Sequence, residues 1–274
     1  MKPNTTPSTN ALSSQRVTII GLGLMGGSLA LALRGRVAHL TAVERHAATR
    51  QYALQQQVVN TVTDNLALGV KDADIVIFAT PVQTILHLIP ELPALRPEGC
   101  LVFDLGSTKT AICQAMEQLP DSFTAVGGHP MCGKEVAGLD AADANLYRGQ
   151  TFILTRTQRT SSTAEALALE IIDAIGANPL LLPAALHDQM VAAISHLPYL
   201  VSSVLMSVVA EQAEGKQGDE RLWQVSASGF RDASRLSGSD PAMMRDILLT
   251  NKTAILQQLA HYQQRLTAVT ALLE

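Results

Sequence analysis

Charged and aromatic residues are scarce in this chain. Among 274 residues, Asp, Glu, Lys and Arg together supply 16% and the aromatic residues only 4%, whereas 47% are apolar. This composition is typical of a compact globule with a large buried core, and the length is sufficient for two domains. The formal net charge of −4 argues against a nucleic acid or an anionic membrane surface as a partner.

Cysteine is also rare. Cys100, Cys113 and Cys132 form no C-x-x-C pair and lack the spacing of metal ligands, so we expect neither a disulfide framework nor a metal site. Three such cysteines fit a reducing, cytoplasmic compartment. Residues 1–15 are rich in Pro, Thr, Ser and Asn and lack the features of a signal or transit peptide. They predict a disordered tail.

One stretch, residues 190–210, contains no Asp, Glu, Lys or Arg and is long enough to cross a membrane. It nevertheless includes His196, Pro198 and four serines, and no Lys/Arg cluster marks a cytoplasmic end. We interpret it as a buried helix of an all-α domain and expect no membrane partner.

The first half alternates short apolar strands with helices, as an α/β sheet does. A predicted strand at 17–20 is followed by a G-x-G-x-x-G loop and a helix, which is the setting of a dinucleotide-binding fingerprint. The three glycines allow a tight turn, a close approach to a pyrophosphate and close helix–strand packing, and the helix N-terminus offers N–H groups to phosphate. The loop residues expected at the cofactor are Gly21, Gly23, Leu24, Met25 and Gly26.

A second predicted strand, 40–43, ends at Glu44. A carboxylate there would accept hydrogen bonds from the ribose hydroxyls and repel a 2′-phosphate, which favours NAD over NADP. Arg45 favours NADP instead, because an arginine at this turn can hold that phosphate. A solvated turn acid is the alternative for Glu44; after this glycine loop we favour ribose binding and NAD.

Two further predicted strands end in polar turns at the same edge of the sheet. The strand at 74–78 leads to Thr80 and Pro81, which we expect beside the cofactor, and the strand at 101–104 leads to Ser107. Lys109 lies in the same turn as Ser107. These two residues could also be only a helix cap and a surface cation.

The glycine-rich stretch 127–138 follows a predicted strand at 123–126. We interpret it as a loop at the edge where open α/β sheets build their sites. His129 is its one group able to exchange protons near neutral pH, and Pro130 biases His129 towards an extended backbone. A surface histidine in a turn is the alternative.

Two more strands, at 151–154 and 179–182, are predicted on either side of a helix at about 161–175. They complete a doubly wound, mostly parallel sheet of the Rossmann type. We place the domain boundary near Pro183, which gives a nucleotide-binding domain at 16–182 and an all-helical domain at 183–274.

The helical half begins with an apolar stripe at helical spacing: Leu186, Met190, Ala193 and Leu197. Pro198 lies inside this predicted helix, so we expect a kink beside His196. A histidine in an apolar helix is commonly a hydrogen-bonded core residue, so ligand contact is only one of two interpretations of His196.

The chain beyond these residues contains two arginines and a long amphipathic helix. Arg231 and Arg235 lie in a predicted turn, where they could be solvent-exposed or could clamp carboxylates. Asp240 and Pro241 predict the start of the last helix. Its apolar stripe to Leu273 requires a helical partner, which a second subunit could supply.

Together these residues resemble the prephenate/arogenate dehydrogenase family of tyrosine biosynthesis, from about Val17 to the C-terminus. The motifs that carry the resemblance are Gly-Leu-Gly-Leu-Met-Gly-Gly-Ser at 21–28, Asp-Leu-Gly-Ser-Thr-Lys at 104–109, Gly-His-Pro-Met-Cys-Gly-Lys-Glu at 128–135, Ile-Ser-His-Leu-Pro at 194–198 and Gly-Phe-Arg-Asp-Ala-Ser-Arg at 229–235. The first is generic to dinucleotide folds, and the other four in this order are specific.

The resemblance implies an oxidative decarboxylation of prephenate or arogenate with NAD or NADP. It implies that His129 accepts the proton of the ring hydroxyl and that Ser107, beside the cofactor, orients His129 or that hydroxyl. It also implies carboxylate binding by Arg235. The remaining substrate contacts that it implies are His196, Arg231 and Glu135, the last at the mouth of the site.

The resemblance also implies a cytoplasmic homodimer joined through the helical domain. A β-hydroxyacid dehydrogenase or an imine reductase is the alternative among enzymes, but it would be expected to carry a catalytic lysine in the helical half. Only Lys216 and Lys252 occur there. A non-catalytic dinucleotide-binding sensor is the alternative outside enzymes.

Overall fold

The computed structural model describes residues 11–134, 136–214 and 218–274. Its contacts divide the chain between Ala184 and Ala185 into two compact units. The first unit contains a β-sheet with flanking helices, and the described part of the second is helical.

One mostly parallel sheet organises the first unit. Its described strands are β1 (Arg16–Ile20), β2 (His39–Val43), β3 (Thr61–Thr63), β4 (Ile75–Phe78), β5 (Leu101–Asp104), β6 (Thr124–Pro130), β7 (Thr151–Arg156) and β8 (Asn178–Leu181). Their order across the sheet is β3-β2-β1-β4-β5-β6-β7-β8. All neighbours are parallel except β6 and β7. The predicted doubly wound sheet is therefore confirmed.

Helices cover both faces of this sheet. Those described in the first unit are α1 (Leu24–Leu33), α2 (Ala47–Gln55), α3 (Leu66–Val70), α4 (Val82–Leu88), α5 (Leu92–Leu95), α6 (Thr110–Glu117) and α7 (Ser162–Ala174), with 3₁₀ helices at Ala11–Ser14 and Ile89–Glu91. Side chains alternate between the faces along a strand. On β5, Leu101 and Phe103 accordingly join one buried cluster and Val102 joins the other.

Regular structure begins at an earlier residue than the sequence predicts. Residues Ala11–Ser14 form a 3₁₀ helix, and Leu12 is fully buried in the core. The Leu12 N–H donates to Glu170 Oε2 of α7 at 2.8 Å. The prediction of a disordered tail is therefore wrong for residues 11–15, because one buried apolar side chain and one partly buried hydrogen bond to α7 anchor this segment. Residues 1–10 lie outside the described part.

The sequence predicts a loop for the glycine-rich stretch after residue 126. In the structure, the first part of this stretch is a strand. β6 pairs with β5 through Val126 and then continues against β7 to Pro130, with His129 opposite Ile153. Beyond Val126, the backbone of β6 pairs with the antiparallel strand β7 and no longer with β5. His129 is thus held on an extended backbone, as Pro130 predicts.

The second unit consists of helices in the part that the structure describes. They are α8 (Ala184–Val191), α9 (Leu197–Glu214), α10 (Arg221–Gln224), α11 (Ser228–Ser234), α12 (Pro241–Thr250) and α13 (Lys252–Leu273), with a π-helical turn at Ala192–His196 and a 3₁₀ helix at Arg235–Gly238. The π turn lies where Pro198 predicts an irregular helix. Asp240 caps α12 through the Met243 N–H, as predicted.

Two expectations for this unit are wrong. Arg231 and Arg235 lie in helical turns rather than in an irregular loop, and the predicted last helix is broken at Asn251. Asn251 has φ −119° and ψ 25°, outside the helical region. It therefore ends α12 and begins α13.

The apolar helix run Ala184–Glu214 is long and apolar enough to span a membrane, but only 22% of its most apolar window is buried within the chain. Leu186 and Met190 of the predicted stripe are exposed, as are Val204 and Val208. The expectation that this chain buries the helix by itself is wrong. Large apolar side chains left exposed along one helix run indicate an interaction surface.

Candidate active site

The glycine loop between β1 and α1 has the backbone of a phosphate-binding turn. Gly21 has φ 97°, and a Cβ at Gly26 would lie 1.9 Å from the Gly21 carbonyl oxygen. A Cβ at Gly23 would meet nothing within 4 Å, and Gly23 caps α1 without a side-chain hydrogen bond. The first N–H groups of an α-helix have no acceptor within the helix, and the open space beside Gly23 at the start of α1 is of the kind a pyrophosphate needs.

The turn after β4 contributes a polar atom to the same edge. Thr80 Oγ1 is buried, and within the described residues it has no hydrogen-bond partner. Buried hydroxyls are normally paired. The Thr80 side chain lies against Gly21, and Pro81 caps α4 at the end of this turn. An unpaired hydroxyl beside the glycine loop fits a site for a polar cofactor.

Glu44, at the end of β2, is fixed by the loops around it. Its Oε2 accepts the Leu22 N–H at 3.0 Å and its Oε1 accepts the His46 N–H at 2.9 Å. The carboxylate is almost fully buried, yet each oxygen retains a lone pair. Arg45 is exposed, and its Nε lies 3.0 Å from His46 Nε2. The structure thus presents a rigid acceptor beside a solvent-facing arginine.

A buried ion pair that the sequence analysis missed lies beneath Ser107. Asp104 Oδ2 pairs with Lys109 Nζ, and both side chains are fully buried. Asp104 also accepts the Gly106 N–H at 2.7 Å and the Gly128 N–H at 3.0 Å. One carboxylate therefore connects β5, the turn that carries Ser107, and the strand that carries His129. The signal in the sequence was an Asp that ends an apolar strand five residues before a Lys.

His129 projects from a strand that packs closely on its neighbour. A Cβ at Gly128 would lie 2.4 Å from the Asp104 carbonyl oxygen, so any larger residue there would force β6 away from β5. His129 itself is half-buried. Nearby Cys132 is no rival nucleophile, because burial raises the pKa of its thiol to about 11 and the thiolate is the reactive form.

The segment after β6 packs on α1 and keeps the two halves of this edge together. Tyr147 Oη donates to the Met25 carbonyl at 2.6 Å, and the Asp143 N–H donates to Ser28 Oγ at 2.9 Å. Burial raises the pKa of Tyr147 well above its usual range, so its hydroxyl stays a donor. The glycine loop and the end of β6 therefore share one sheet edge, together with the turns of Thr80 and Ser107.

The predicted substrate residues of the helical unit fall into two environments. His196 is buried at the end of the π turn, and burial lowers its pKa to about 4. Arg231 and Arg235 are exposed, four positions apart on consecutive helical turns. The Ser237 N–H, two residues after Arg235, donates to Ser202 Oγ of α9 at 3.0 Å. Glu135 lies outside the described residues.

The described part of the chain contains no group of three or more His, Cys, Asp or Glu side chains arranged to hold a metal ion. The polar groups gathered at the sheet edge are instead hydroxyls, one imidazole and free helix N–H groups. These groups suit an organic ligand with phosphates and hydroxyls.

Known proteins match both units. The nucleotide-binding domain of prephenate dehydrogenase matches residues 28–181, and the dimerization domain of prephenate dehydrogenase matches residues 183–274. The chain belongs to the prephenate dehydrogenase family.

Relatives of this family match over nearly the whole chain. The prephenate dehydrogenase of Bacillus subtilis is 32% identical over 94% of this chain and 70% of its own length. The structure of Synechocystis arogenate dehydrogenase is 34% identical with a TM-score of 0.80, and the match covers 94% of this chain and 91% of that one. Prephenate dehydrogenase from Aquifex aeolicus, in complex with hydroxyphenyl propionate and NAD+, is 30% identical with a TM-score of 0.88, covering 96% and 92%.

The buried ion pair gives a prediction about stability. Lys109→Met should lower the free energy of unfolding by about 3–5 kcal/mol, because it leaves the Asp104 carboxylate buried without a counter-charge. Adding Asp104→Asn to this variant should restore part of the loss. Urea unfolding followed by circular dichroism measures both. Lys134→Met is the control, since Lys134 is exposed and its ion pair with Asp143 is a surface pair; equal losses at the two lysines would contradict the prediction.

Proposed function

We propose that this chain catalyses the NAD(P)-dependent oxidative decarboxylation of prephenate to 4-hydroxyphenylpyruvate, or of arogenate to tyrosine. One observation carries the proposal. A half-buried histidine on β6 and a glycine loop of the dinucleotide-binding type lie at the same edge of the sheet. The family's match over both units supports it.

The glycine loop and the N-terminus of α1 would hold the dinucleotide, which would supply the acceptor for a hydride from C4 of the substrate ring. In the proposed mechanism the neutral imidazole of His129 accepts the proton of the C4 hydroxyl, and the ring carboxylate leaves as CO2 as the ring becomes aromatic. General-base assistance of this kind is typically worth about 10²–10⁴ in rate. Ser107, at the end of the neighbouring strand, orients the imidazole or the hydroxyl.

The helical unit is proposed to bind the carboxylates of the substrate. Arg235 supplies a planar guanidinium that can hold a carboxylate with two hydrogen bonds, and Arg231 adds positive charge on a neighbouring turn. His196 is proposed as a further polar contact. Glu135 is proposed at the mouth of the site, as the resemblance implies.

NAD is the proposed preference over NADP. Glu44 supports it, because its rigid carboxylate retains lone pairs for ribose hydroxyls and would repel a 2′-phosphate. The structure of the Aquifex aeolicus relative was solved with NAD+. Arg45 supports the opposite preference, which the assay below decides.

The protein is further proposed to be a cytoplasmic homodimer that joins through its helical unit. The exposed apolar side chains of α9 and α13 support this, since a second copy would remove them from water. The family model for this unit is that of a dimerization domain. The β-hydroxyacid dehydrogenase, imine reductase and sensor alternatives are less well supported, because prephenate dehydrogenase family models match both units.

The test of the function is the initial rate at 340 nm with prephenate or arogenate, each with NAD and with NADP. We expect turnover in at least one of the four combinations, with the higher kcat/KM on NAD. The best combination identifies substrate and cofactor. Absence of turnover in all four, with folding verified by circular dichroism, would remove the proposal.

His129→Asn should lower kcat by a hundredfold or more, because asparagine cannot accept the hydroxyl proton; this is within the range of about 10²–10⁴ for general bases. Steady-state kinetics at saturating substrate measures the effect. The control is His87→Asn, which changes an exposed histidine on α4. A His129→Asn variant with wild-type turnover would exclude His129 as the base.

Arg235→Gln should mainly raise KM for the acid, by roughly 30- to 150-fold, since a hydrogen bond from a charged donor contributes about 2–3 kcal/mol. Arg36→Gln, at an exposed arginine of the first unit, should leave KM unchanged. Substrate titrations of the two variants measure this. If KM stays at the wild-type value in Arg235→Gln, the carboxylate binds elsewhere.

Leu266→Glu should shift the protein from dimer towards monomer, because it places a charge on the exposed apolar face of α13. Light scattering coupled to gel filtration measures the mass. Gln263→Glu adds the same charge at a polar, exposed position of the same helix and should leave the dimer intact. A wild-type protein that is monomeric at micromolar concentration would contradict the homodimer.

A further inference from the structure

Asn251, between α12 and α13, carries a side chain whose orientation is determined by its neighbours. Its Nδ2 lies 2.7 Å from the backbone carbonyl oxygen of Asp188 and 3.2 Å from Nδ1 of His196. A carbonyl oxygen can only accept a hydrogen bond. The amide nitrogen, not the amide oxygen, must therefore face both groups.

This orientation determines the tautomer of His196. The amide has two N–H groups, and one is donated to the Asp188 carbonyl. The other points at Nδ1, which can accept it only if Nδ1 carries no hydrogen. In a neutral ring the hydrogen then lies on Nε2, which is the nitrogen left to donate to a ligand.

The surroundings keep the ring neutral and in place. His196 and Asn251 are both almost fully buried, and burial lowers the pKa of His196 to about 4. The carboxylate of Asp188, whose charge acts on His196, is engaged at 2.8 Å by Nδ1 of His187. His196 also lies at the end of a π-helical turn, a rare geometry that is frequent at functional sites.

We propose that Asn251 is a positioning residue, which fixes His196 as the Nε2–H tautomer and so presents an uncharged donor to an acceptor oxygen of the substrate. The substrate part of this statement depends on the proposed function. The tautomer does not, because every contact that determines it lies within the helical unit.

The first experiment reads the tautomer without substrate. Long-range ¹H–¹⁵N correlation spectra of the ¹⁵N-histidine-labelled protein at pH 7 distinguish Nδ1–H from Nε2–H, and a His196→Gln spectrum assigns the ring. We expect Nε2–H in the wild type. In Asn251→Asp, whose carboxylate can only accept, we expect a hydrogen on Nδ1. Nδ1–H in the wild type, or an unchanged tautomer in a folded Asn251→Asp variant, would overturn the proposal.

The second experiment links the tautomer to turnover. Asn251→Asp should lower kcat/KM for the substrate at least tenfold while KM for the dinucleotide stays within twofold. Asn178→Asp is the matched control, because Asn178 Nδ2 also donates to a backbone carbonyl, that of Gly149, at an exposed position of the first unit. Equal losses in the two variants would overturn the positioning role.

The two experiments separate this proposal from the proposed function. If the wild type shows Nε2–H but turns over neither acid, the positioning of His196 is supported and the proposed function is excluded. If the wild type shows turnover but its spectrum shows Nδ1–H, the proposed function is supported and the positioning role is excluded. The wild-type spectrum decides the tautomer even if Asn251→Asp does not fold.

Discussion

The edge of the sheet that carries Ser107 and His129 depends on the buried ion pair between Asp104 and Lys109. Taking two charges out of water is costly, and good geometry together with further hydrogen bonds is what offsets that cost. Asp104 has such further hydrogen bonds, since it also accepts two backbone N–H groups, one from its own turn and one from β6. The turn that carries the Ser107 hydroxyl and the strand that carries the His129 imidazole are thus held together by one carboxylate.

The sheet could be predicted from the sequence because its signals are local. Short buried strands, glycine turns and capped helices each appear within ten residues, and the edge of the sheet follows from their alternation. The strand at Gly127 to Pro130 could not be predicted in this way. Its partner β7 lies more than twenty residues further on, and Gly128, one of the glycines that suggested a loop, is required by the close approach of Asp104 and Phe103.

The same limit applies to the candidate site and to the helical unit. Residues at strand ends and in glycine turns could be placed from the pattern, but the burial of Lys109 could not, since it depends on long-range packing. Helical periodicity likewise shows that the apolar face of α9 has to pack against another apolar surface, but it does not show which chain supplies that surface. The single chain leaves Val204 and Val208 exposed, which is consistent with the proposed homodimer.

His196 and the two arginines of the helical unit are hydrogen-bond donors of different kinds. Arg231 and Arg235 carry a fixed positive charge and are exposed. His196 is buried, and burial lowers its pKa to about 4, so its ring is uncharged near neutral pH. In the proposed tautomer the Asn251 amide, 3.2 Å from Nδ1, leaves the ring hydrogen on Nε2. Burial and one amide thus give this unit a directed donor without a third positive charge.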